Sequence, residues 1–210
     1  MMDNNERILL AAKDLFFKFG LKNVTMDDIS RELGMSKKTL YENYQNKKDI
    51  VETITQRFLD RHHQEYENMA SQAVDAVDEV VRLMDKFSML FEKMHPRIIF
   101  DMQRYYPESW QMFKDYKLNF VLLKIRENLD KGIIQGLYRA NIDPEVISRL
   151  HLEQIQIAID PLILPPEQFG MKHIHRQLLL QYLYGISTVK GHILINQYLD
   201  FNDISYKIDL

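Results

Sequence analysis

The chain has 210 residues and is nearly neutral, with 27 lysines and arginines against 30 aspartates and glutamates. A basic surface over the whole protein is excluded, so any nucleic-acid interface must be a local cluster of positive charge. The absence of cysteine excludes disulfides, thiolate metal sites and thiol redox sensing. The N terminus is polar and no apolar run reaches the length of a membrane span, so we expect a cytoplasmic protein.

The segment from residue 25 to residue 47 predicts two short helices joined by a tight turn. Thr25 is placed to cap the first helix, and Asp28 adds negative charge at the positive end of its dipole. Gly34 supplies the left-handed residue that ends this helix, and Ser36 is placed to cap the next one. This arrangement is typical of helix-turn-helix proteins that present a helix to a DNA groove.

The second helix of this unit carries a local basic cluster. From Ser36 to Lys48 there are four lysines against one acidic residue. Lys37 and Lys38 are placed to reach guanine atoms or phosphates, although a solvated pair of charges is the alternative interpretation. Thr25 and Lys47 each lie at the start of a helix, a position that favours a bound phosphate, and Thr25 also fits a purely capping role.

This unit resembles the motif of the TetR family of bacterial transcriptional regulators. The resemblance rests on the spacing of Thr, Ile, Gly, Ser, Thr-Leu-Tyr and Lys between residues 25 and 47, and it includes the helix before them. It implies DNA contacts from Thr25, Ser36, Lys37, Lys38, Thr39, Tyr41, Asn43 and Lys47. Tyr41 is implied to reach the DNA backbone through its hydroxyl, whereas Tyr44 is implied to pack against the first helix. Asn43 departs from the family pattern, which has histidine there.

The remaining sequence also predicts helices, and no segment has the alternation of a strand. Asp3 or Asn4 is placed to cap the first helix, whose apolar face extends to Phe19. Further helices are predicted at 46–70, 75–94, 97–104, 107 to the glycines at 132 and 136, 143–160 and 173–199. The prolines between Pro161 and Gly170 predict a loop there.

We therefore predict an all-α fold of about nine helices in two domains. Residues 1–48 would form the helix-turn-helix DNA-binding domain, and the helix at about 46–70 would link it to the rest. Residues 49–210 would form a helical domain for effector binding and dimerisation. The family resemblance implies that the last two long helices form a homodimer interface. A dimer of this kind predicts a palindromic site on double-stranded DNA.

The resemblance also implies that the helical domain binds a small effector. Methionine and aromatic side chains are abundant in this part of the chain, and they line adaptable apolar pockets as well as ordinary cores. We expect an apolar or amphipathic ligand to be bordered by Met102, Tyr105, Trp110, Phe113 and Tyr116. Binding would release a repressor from its operator.

No pattern in the chain indicates catalysis, a cofactor or a metal site. It has no nucleophile elbow and no phosphate-binding glycine loop. The pairs His62/His63 and His173/His175 are spaced so that neither faces one way on a helix, and we expect these histidines on the surface. Two alternatives stay open: a DNA-binding regulator without a small-molecule effector, or a helical ligand-binding protein or enzyme with a vestigial DNA-binding module.

Overall fold

A computed structural model describes residues 3–95 and 97–199, and the regular structure in these ranges is helical apart from one isolated β-bridge. The all-α class is confirmed. The described ranges contain twelve α-helices and one π-helical segment, more than the nine predicted. Pro96, predicted to interrupt the chain after the fifth helix, lies outside the described residues. The helices are α1 Asn4–Phe19, α2 Met26–Glu32, α3 Lys37–Asn43, α4 Lys47–Gln72, α5 Ala76–Lys93, α6 Ile98–Tyr105, α7 Pro107–Tyr116, α8 Leu122–Ile134, α9 Pro144–Ala158, α10 Pro166–Phe169, α11 Met171–Ile186 and α12 Val189–Tyr198.

Helices α1, α2 and α3 pack with the first turns of α4 into a compact unit, which we call the head. Apolar residues three and four apart on each helix face inward, because an amphipathic helix gains free energy by burying one side. The fully or nearly fully buried set includes Ile8, Ala12, Phe16, Ile29, Leu40 and Ile50. Tyr44 packs against this core as predicted. Phe19 does not, since it is 45% exposed, and Asp3 occupies the N-cap position of α1 without a capping hydrogen bond.

Helix α6 contributes to the same core. Ile98, Met102 and Tyr106 are buried among the apolar residues of the head, with Trp110 and Phe113 of α7 packed against them. Asp101 of α6 is 4% exposed and accepts a hydrogen bond from the backbone amide of Lys22. The head is therefore joined to the following helices through shared core packing as well as through α4.

The predicted long helix from Pro107 is a rod with a π-helical segment, Lys117–Val121, between α7 and α8. The rod ends near the predicted glycines, where Gly136 has a positive φ of 68°. Around the π segment, Tyr116 forms a hydrogen bond with His62, and Phe120 stacks on His63 with ring centroids 4.0 Å apart. A π turn inside an α-helix shifts the side chains that follow it around the axis, and here it accompanies aromatic contacts with α4.

Helix α5 and the helices from α8 onward form a second packed region, which we call the body. Its core contains Val77, Leu129, Leu183 and Ile195, which are fully buried. A buried polar network joins distant parts of the chain: the Tyr138 hydroxyl donates to the carbonyl of Ala76 at 3.0 Å, and Asn128 donates to the same oxygen at 3.0 Å. Gly132 leaves room for the ring of Tyr138, because a Cβ there would lie 2.0 Å from it.

The prediction of one last helix over 173–199 was wrong. The helix breaks at Ser187 and Thr188 into α11 and α12. Ser187 forms an antiparallel bridge with Tyr138, and the amide of Thr188 donates to the carbonyl of Leu137 at 2.9 Å, so the backbone pairs with the segment after α8. Thr188 then caps α12 by accepting from the Gly191 amide. The predicted loop at 161–170 likewise contains the short helix α10.

Candidate nucleic-acid interface

The turn between α2 and α3 is held by local hydrogen bonds. Thr25 and Asp28 form a capping box, in which the Thr25 hydroxyl accepts from the Asp28 amide and the Asp28 carboxylate accepts from the Thr25 amide at 2.9 Å. The hydrogen bonds from Thr25 lower the pKa of Asp28. Gly34 has a positive φ of 58°, which favours glycine, and Ser36 accepts from the Thr39 amide at 3.1 Å. The predicted caps of α2 and α3 are confirmed.

Helix α3 buries one residue and exposes its basic side. Leu40 is fully buried, whereas Lys37, Lys38 and Tyr41 lie on the surface, with Tyr41 48% exposed. This division follows from helical periodicity, because Leu40 falls on the side that faces α1 and α2. The exposed side presents two ammonium groups at the N-terminal end of the helix and one phenol about a turn further on. These are the groups that sequence analysis assigned to DNA.

The two lysines of α3 have acidic partners on the same surface. Lys37 Nζ lies 2.6 Å from Asp27 Oδ2 on α2, and Lys38 Nζ lies 3.9 Å from Glu42 Oε1 one turn away. Both pairs are exposed, and such ion pairs contribute little to stability because water and salt screen them. A phosphate or a guanine edge that approached either lysine would therefore compete only with a weak partner.

The smaller polar residues of the predicted contact set make hydrogen bonds within the unit. The hydroxyls of Ser36 and Thr39 are 2.8 Å apart, and Asn43 donates to the carbonyl of Thr39 at 2.7 Å. Thr25 is engaged in its capping box. Ser36 and Thr25 remain at the exposed edge, whereas Thr39 and Asn43 are half-buried. The structure thus brings all of them to the α2–α3 unit and gives each a structural role there.

Lys47 is the residue whose placement differs most from the sequence-based expectation. It begins α4, as predicted, and Asn46 caps this helix by accepting from the Asp49 amide. The Lys47 ammonium group, however, donates to the carbonyl of Leu21 and lies 5.8 Å from the ring centroid of Tyr106. Burial lowers the pKa of Lys47, and the charge of Asp101 opposes that shift. Its phosphate contact stays a prediction that requires a change of rotamer.

Lys48 and Glu108 are functional candidates to which sequence analysis gave no role. Lys48 Nζ lies 2.6 Å from Glu108 Oε1 at the start of α7 and 3.6 Å from Glu52 Oε1. The hydrogen bond with Glu108 raises the pKa of Lys48, and the same bond lowers the pKa of Glu108. The basic run at 47–48 was visible in the sequence, but a partner sixty residues away was not.

The structure places the five residues predicted to border a ligand in three different surroundings. Met102 belongs to the core of the head, and Trp110 and Phe113 pack against that core. Tyr105 is 43% exposed and lies beside Lys22. Tyr116 alone among the five lines a surface cleft of about 530 Å³ between α4 and α7. The cleft is lined by Gln56, Leu59, Asp60, His63, Gln64, Met112, Asp115 and Tyr116.

The cleft and its surroundings are amphipathic. Leu59, Met112 and the Tyr116 ring supply apolar surface, while Asp60 and Asp115 supply carboxylates. Behind it, His62 is half-buried against Tyr116, and burial lowers the pKa of His62 to about 4. His175 is buried and His62 is half-buried, so the prediction that these two lie on the surface was wrong. Their spacing excluded a shared face but could not report packing against other helices.

Comparisons with known proteins agree with this geometry. Residues 8–54 match the family model described as bacterial regulatory proteins, tetR family. The chain is 21% identical over 193 residues to the HTH-type transcriptional repressor KstR2 of Mycolicibacterium smegmatis, covering 89% of this chain and 92% of that protein.

Two solved structures share the fold over most of their length. A transcriptional regulator from Saccharomonospora viridis in complex with choline has a TM-score of 0.71 at 20% identity, covering 88% of this chain and 97% of that one. SmeT of Stenotrophomonas maltophilia, in complex with triclosan, has a TM-score of 0.70 at 19% identity, covering 89% and 93%. The motif, the fold and these relatives agree: residues 8–54 match the helix-turn-helix region of the tetR family of bacterial regulatory proteins, and the chain is similar over most of its length to transcriptional regulators of that kind.

Proposed function

We propose that this protein is a homodimeric repressor that binds a palindromic operator and leaves it when an amphipathic ligand binds between α4 and α7. The observation that carries the proposal is the exposed side of α3, which presents Lys37, Lys38 and Tyr41 above a turn fixed by capping hydrogen bonds. A rigid helix with a basic outer side is the form in which helix-turn-helix proteins enter the major groove.

Each group of this surface has a role in the proposed complex. Lys37 and Lys38 contact base edges or adjacent phosphates, and the Tyr41 hydroxyl contacts the backbone. Thr25, Ser36 and Thr39 present hydroxyls near helix starts, where backbone amides also favour a phosphate. Asn43 and Lys47 are secondary contacts, because the first already bonds Thr39 and the second is half-buried.

The proposed dimer is supported by apolar side chains that the single chain leaves exposed. On α9, Val146, Leu150 and Ile157 are 50%, 57% and 40% exposed, and they lie at spacings that place them on one side of the helix. Val189 and Ile193 of α12 are also exposed. By contrast, Leu179 and Leu183 of α11 are buried within the chain. We therefore assign α9 and α12 the larger share of the interface.

The proposed ligand site is the cleft between α4 and α7. Its volume of about 530 Å³ suits a small molecule. Its mixed lining favours an amphipathic ligand, and relatives of similar fold hold choline and triclosan. Because α4 begins in the head and lines the cleft, a ligand that shifts α4 against α7 also shifts the head. A coupling of about 1–3 kcal/mol is typical of such switches.

The proposal includes the domain assignment and the setting. Residues 1–48 act as the DNA-binding domain, α4 as the link, and residues 49–210 as the effector and dimerisation domain. The protein acts by binding alone, without catalysis, in the cytoplasm. These assignments are supported by relatives that are transcriptional regulators and by the finding that no described helix is long and apolar enough to cross a membrane.

The proposal is tested by selecting bound duplexes from a random DNA library with the full-length protein. Wild type is expected to enrich an inverted repeat, and the variant Lys37→Ala/Lys38→Ala is expected to enrich none. The matched control is Lys93→Ala/Lys172→Ala, which removes the same charge from exposed positions away from α3. Equal enrichment by wild type and by the α3 variant would refute the assigned interface, and no enrichment by folded wild type would refute specific DNA binding.

The ligand step is tested with the operator obtained in that selection. Choline and triclosan are titrated against the protein–operator complex, with release followed by fluorescence anisotropy of the DNA. The variant Gln64→Trp should narrow the cleft and reduce release by whichever of the two is active, whereas Asn68→Trp, one turn further along α4, should not. Release that survives Gln64→Trp unchanged would place the ligand elsewhere.

A further inference from the structure

Two lysines begin helix α4, and each has partners outside that helix: Lys47 bonds the Leu21 carbonyl beside Tyr106, and Lys48 pairs with Glu108 of α7. Lys47 and Lys48 occupy the first two positions of this 26-residue helix. A cation at a helix N terminus is unfavourable, because the backbone dipole places partial positive charge there. The lysines therefore need nearby anions or acceptors. In the free protein Glu108 pairs with Lys48, and the buried carboxylate of Asp101 attracts the charge of Lys47; together with Tyr106 we call these residues the α6–α7 corner.

Lys47 is held mainly by the head, and the inner side of the corner lies beside it. Its ammonium group donates to the Leu21 carbonyl and lies between aromatic rings, 5.9 Å from the Phe16 centroid and 5.8 Å from the Tyr106 centroid. The carboxylate of Asp101, which is 4% exposed, attracts the same charge. A phosphate could bind Lys47 only after its side chain leaves these partners.

Lys48 is held by the outer side of the corner. Its Nζ lies 2.6 Å from Glu108 Oε1, at the first turn of α7, and a second carboxylate from Glu52 lies 3.6 Å away. The Lys48–Glu108 pair is exposed at the junction of α4 with α7. The pair joins the start of α4 to α7, and both helices line the cleft.

We infer that the α6–α7 corner competes with DNA phosphates for Lys47 and Lys48, so that it restrains operator binding in the free protein. This inference rests on the proposed function, since it requires that the head binds DNA. DNA binding and the corner are then linked reciprocally: whatever holds the lysines in the corner weakens the complex, and phosphate binding loosens the corner. A movement of α6 or α7 changes the number of lysines available to DNA.

The outer contact is tested by Glu108→Gln in the full-length protein. Operator affinity at low salt is expected to rise about two- to fivefold, the range that corresponds to an exposed ion pair. The gain should shrink at high salt and disappear in a Lys48→Ala background. The control Glu153→Gln removes an equal charge from a pair with Lys117 on the body and should leave affinity unchanged.

The inner contact is tested by Asp101→Asn, which keeps an acceptor for the Lys22 amide while removing the charge. It should strengthen operator binding only when Lys47 is present. If Asp101→Asn folds poorly, the inference is tested by Glu108→Gln alone, because Glu108 lies on the surface. Unchanged or weaker binding by Glu108→Gln, or an equal gain from Glu153→Gln, would overturn the inference. If the wild type binds operator in the same experiment, the proposed DNA binding holds whether or not the corner restrains it.

Discussion

In the head, each of the helices α2, α3 and α4 starts with a side chain that bonds an amide three residues further on. In the body, Asn128 and Tyr138 converge on the carbonyl of Ala76 from 52 and 62 positions away. Local contacts form as soon as a helix forms, whereas the body's network exists only when distant helices have packed. We therefore expect a substitution in the body to lower stability more, and over more of the chain, than a substitution in the head.

Replacing Gly132 with alanine should lower the free energy of unfolding more than the other changes below, because it disturbs the packing of the body. A Cβ at this position would lie 2.0 Å from the Tyr138 ring, which is fixed by its bonds to Ala76 and Asn128. Overpacking of a rigid core should lower the free energy of unfolding by about 3 kcal/mol. Urea unfolding followed by circular dichroism measures this loss of stability.

The matched control for this prediction is Gly185→Ala on α11. A Cβ there meets no atom within 4 Å, and alanine is the better helix former, so stability should be unchanged or raised by up to about 1 kcal/mol. If Gly132→Ala behaves like Gly185→Ala, the Tyr138 network is not the rigid centre of the body.

Acidification should destabilise the body through His151. This side chain is stacked on Tyr182 with ring centroids 3.5 Å apart, and burial lowers the pKa of His151 to about 4. A lowered folded-state pKa means that the unfolded chain takes up the proton first, so stability is full above the unfolded-state pKa of about 6.5 and falls as the pH drops from there towards 4. Lowering the pH from 7 to 5 should reduce the free energy of unfolding by about 2 kcal/mol through this one histidine.

The variant His151→Phe keeps a ring against Tyr182 and removes the titration. Thermal unfolding at pH 7 and pH 5 should therefore show a smaller acid-induced loss in His151→Phe than in wild type. The exposed residue His173, changed to glutamine, serves as the control. An acid-induced loss of the same size in His151→Phe and wild type would assign it to other groups.

Removing the capping hydroxyl with Thr25→Ala should have the smallest and most local effect of the three. The capping box of α2 loses its acceptor for the Asp28 amide, which typically costs about 1 kcal/mol. Amide hydrogen exchange should quicken in α2 and stay unchanged in α8 and α11. Thr53→Ala, whose hydroxyl bonds a carbonyl inside α4, is the control. Faster exchange spread equally over the body would contradict a local origin of stability in the head.

The features of the head that sequence predicted well are those with short-range causes. Thr25 and Ser36 cap the helices that they were expected to cap, and Gly34 takes the positive φ. The DNA contacts themselves remain predictions. The side chain of Lys47 was placed on the DNA side because it begins a helix, but its surroundings depend on Tyr106 and Asp101, which come from α6 and its end.

The body departs from the sequence-based expectation wherever a long-range contact overrides helical periodicity. The segment 173–199 has a continuous apolar period, yet it breaks at Ser187 because Tyr138 and Leu137 pair with its backbone. The residues assigned to a ligand pocket were chosen by type, and three of the five, Met102, Trp110 and Phe113, attach α6 and α7 to the head. Residue type alone cannot separate a core from a pocket lining.

The sequence by itself determined the fold class, the helix-turn-helix unit and its basic outer side. Caps, turns and helical periodicity depend on residues that lie within one or two helical turns of each other. Only the tertiary structure decided which lysines are restrained, which aromatic residues reach the cleft and where the last helix breaks. Each of these depends on partners that are distant in sequence and meet only when the helices pack.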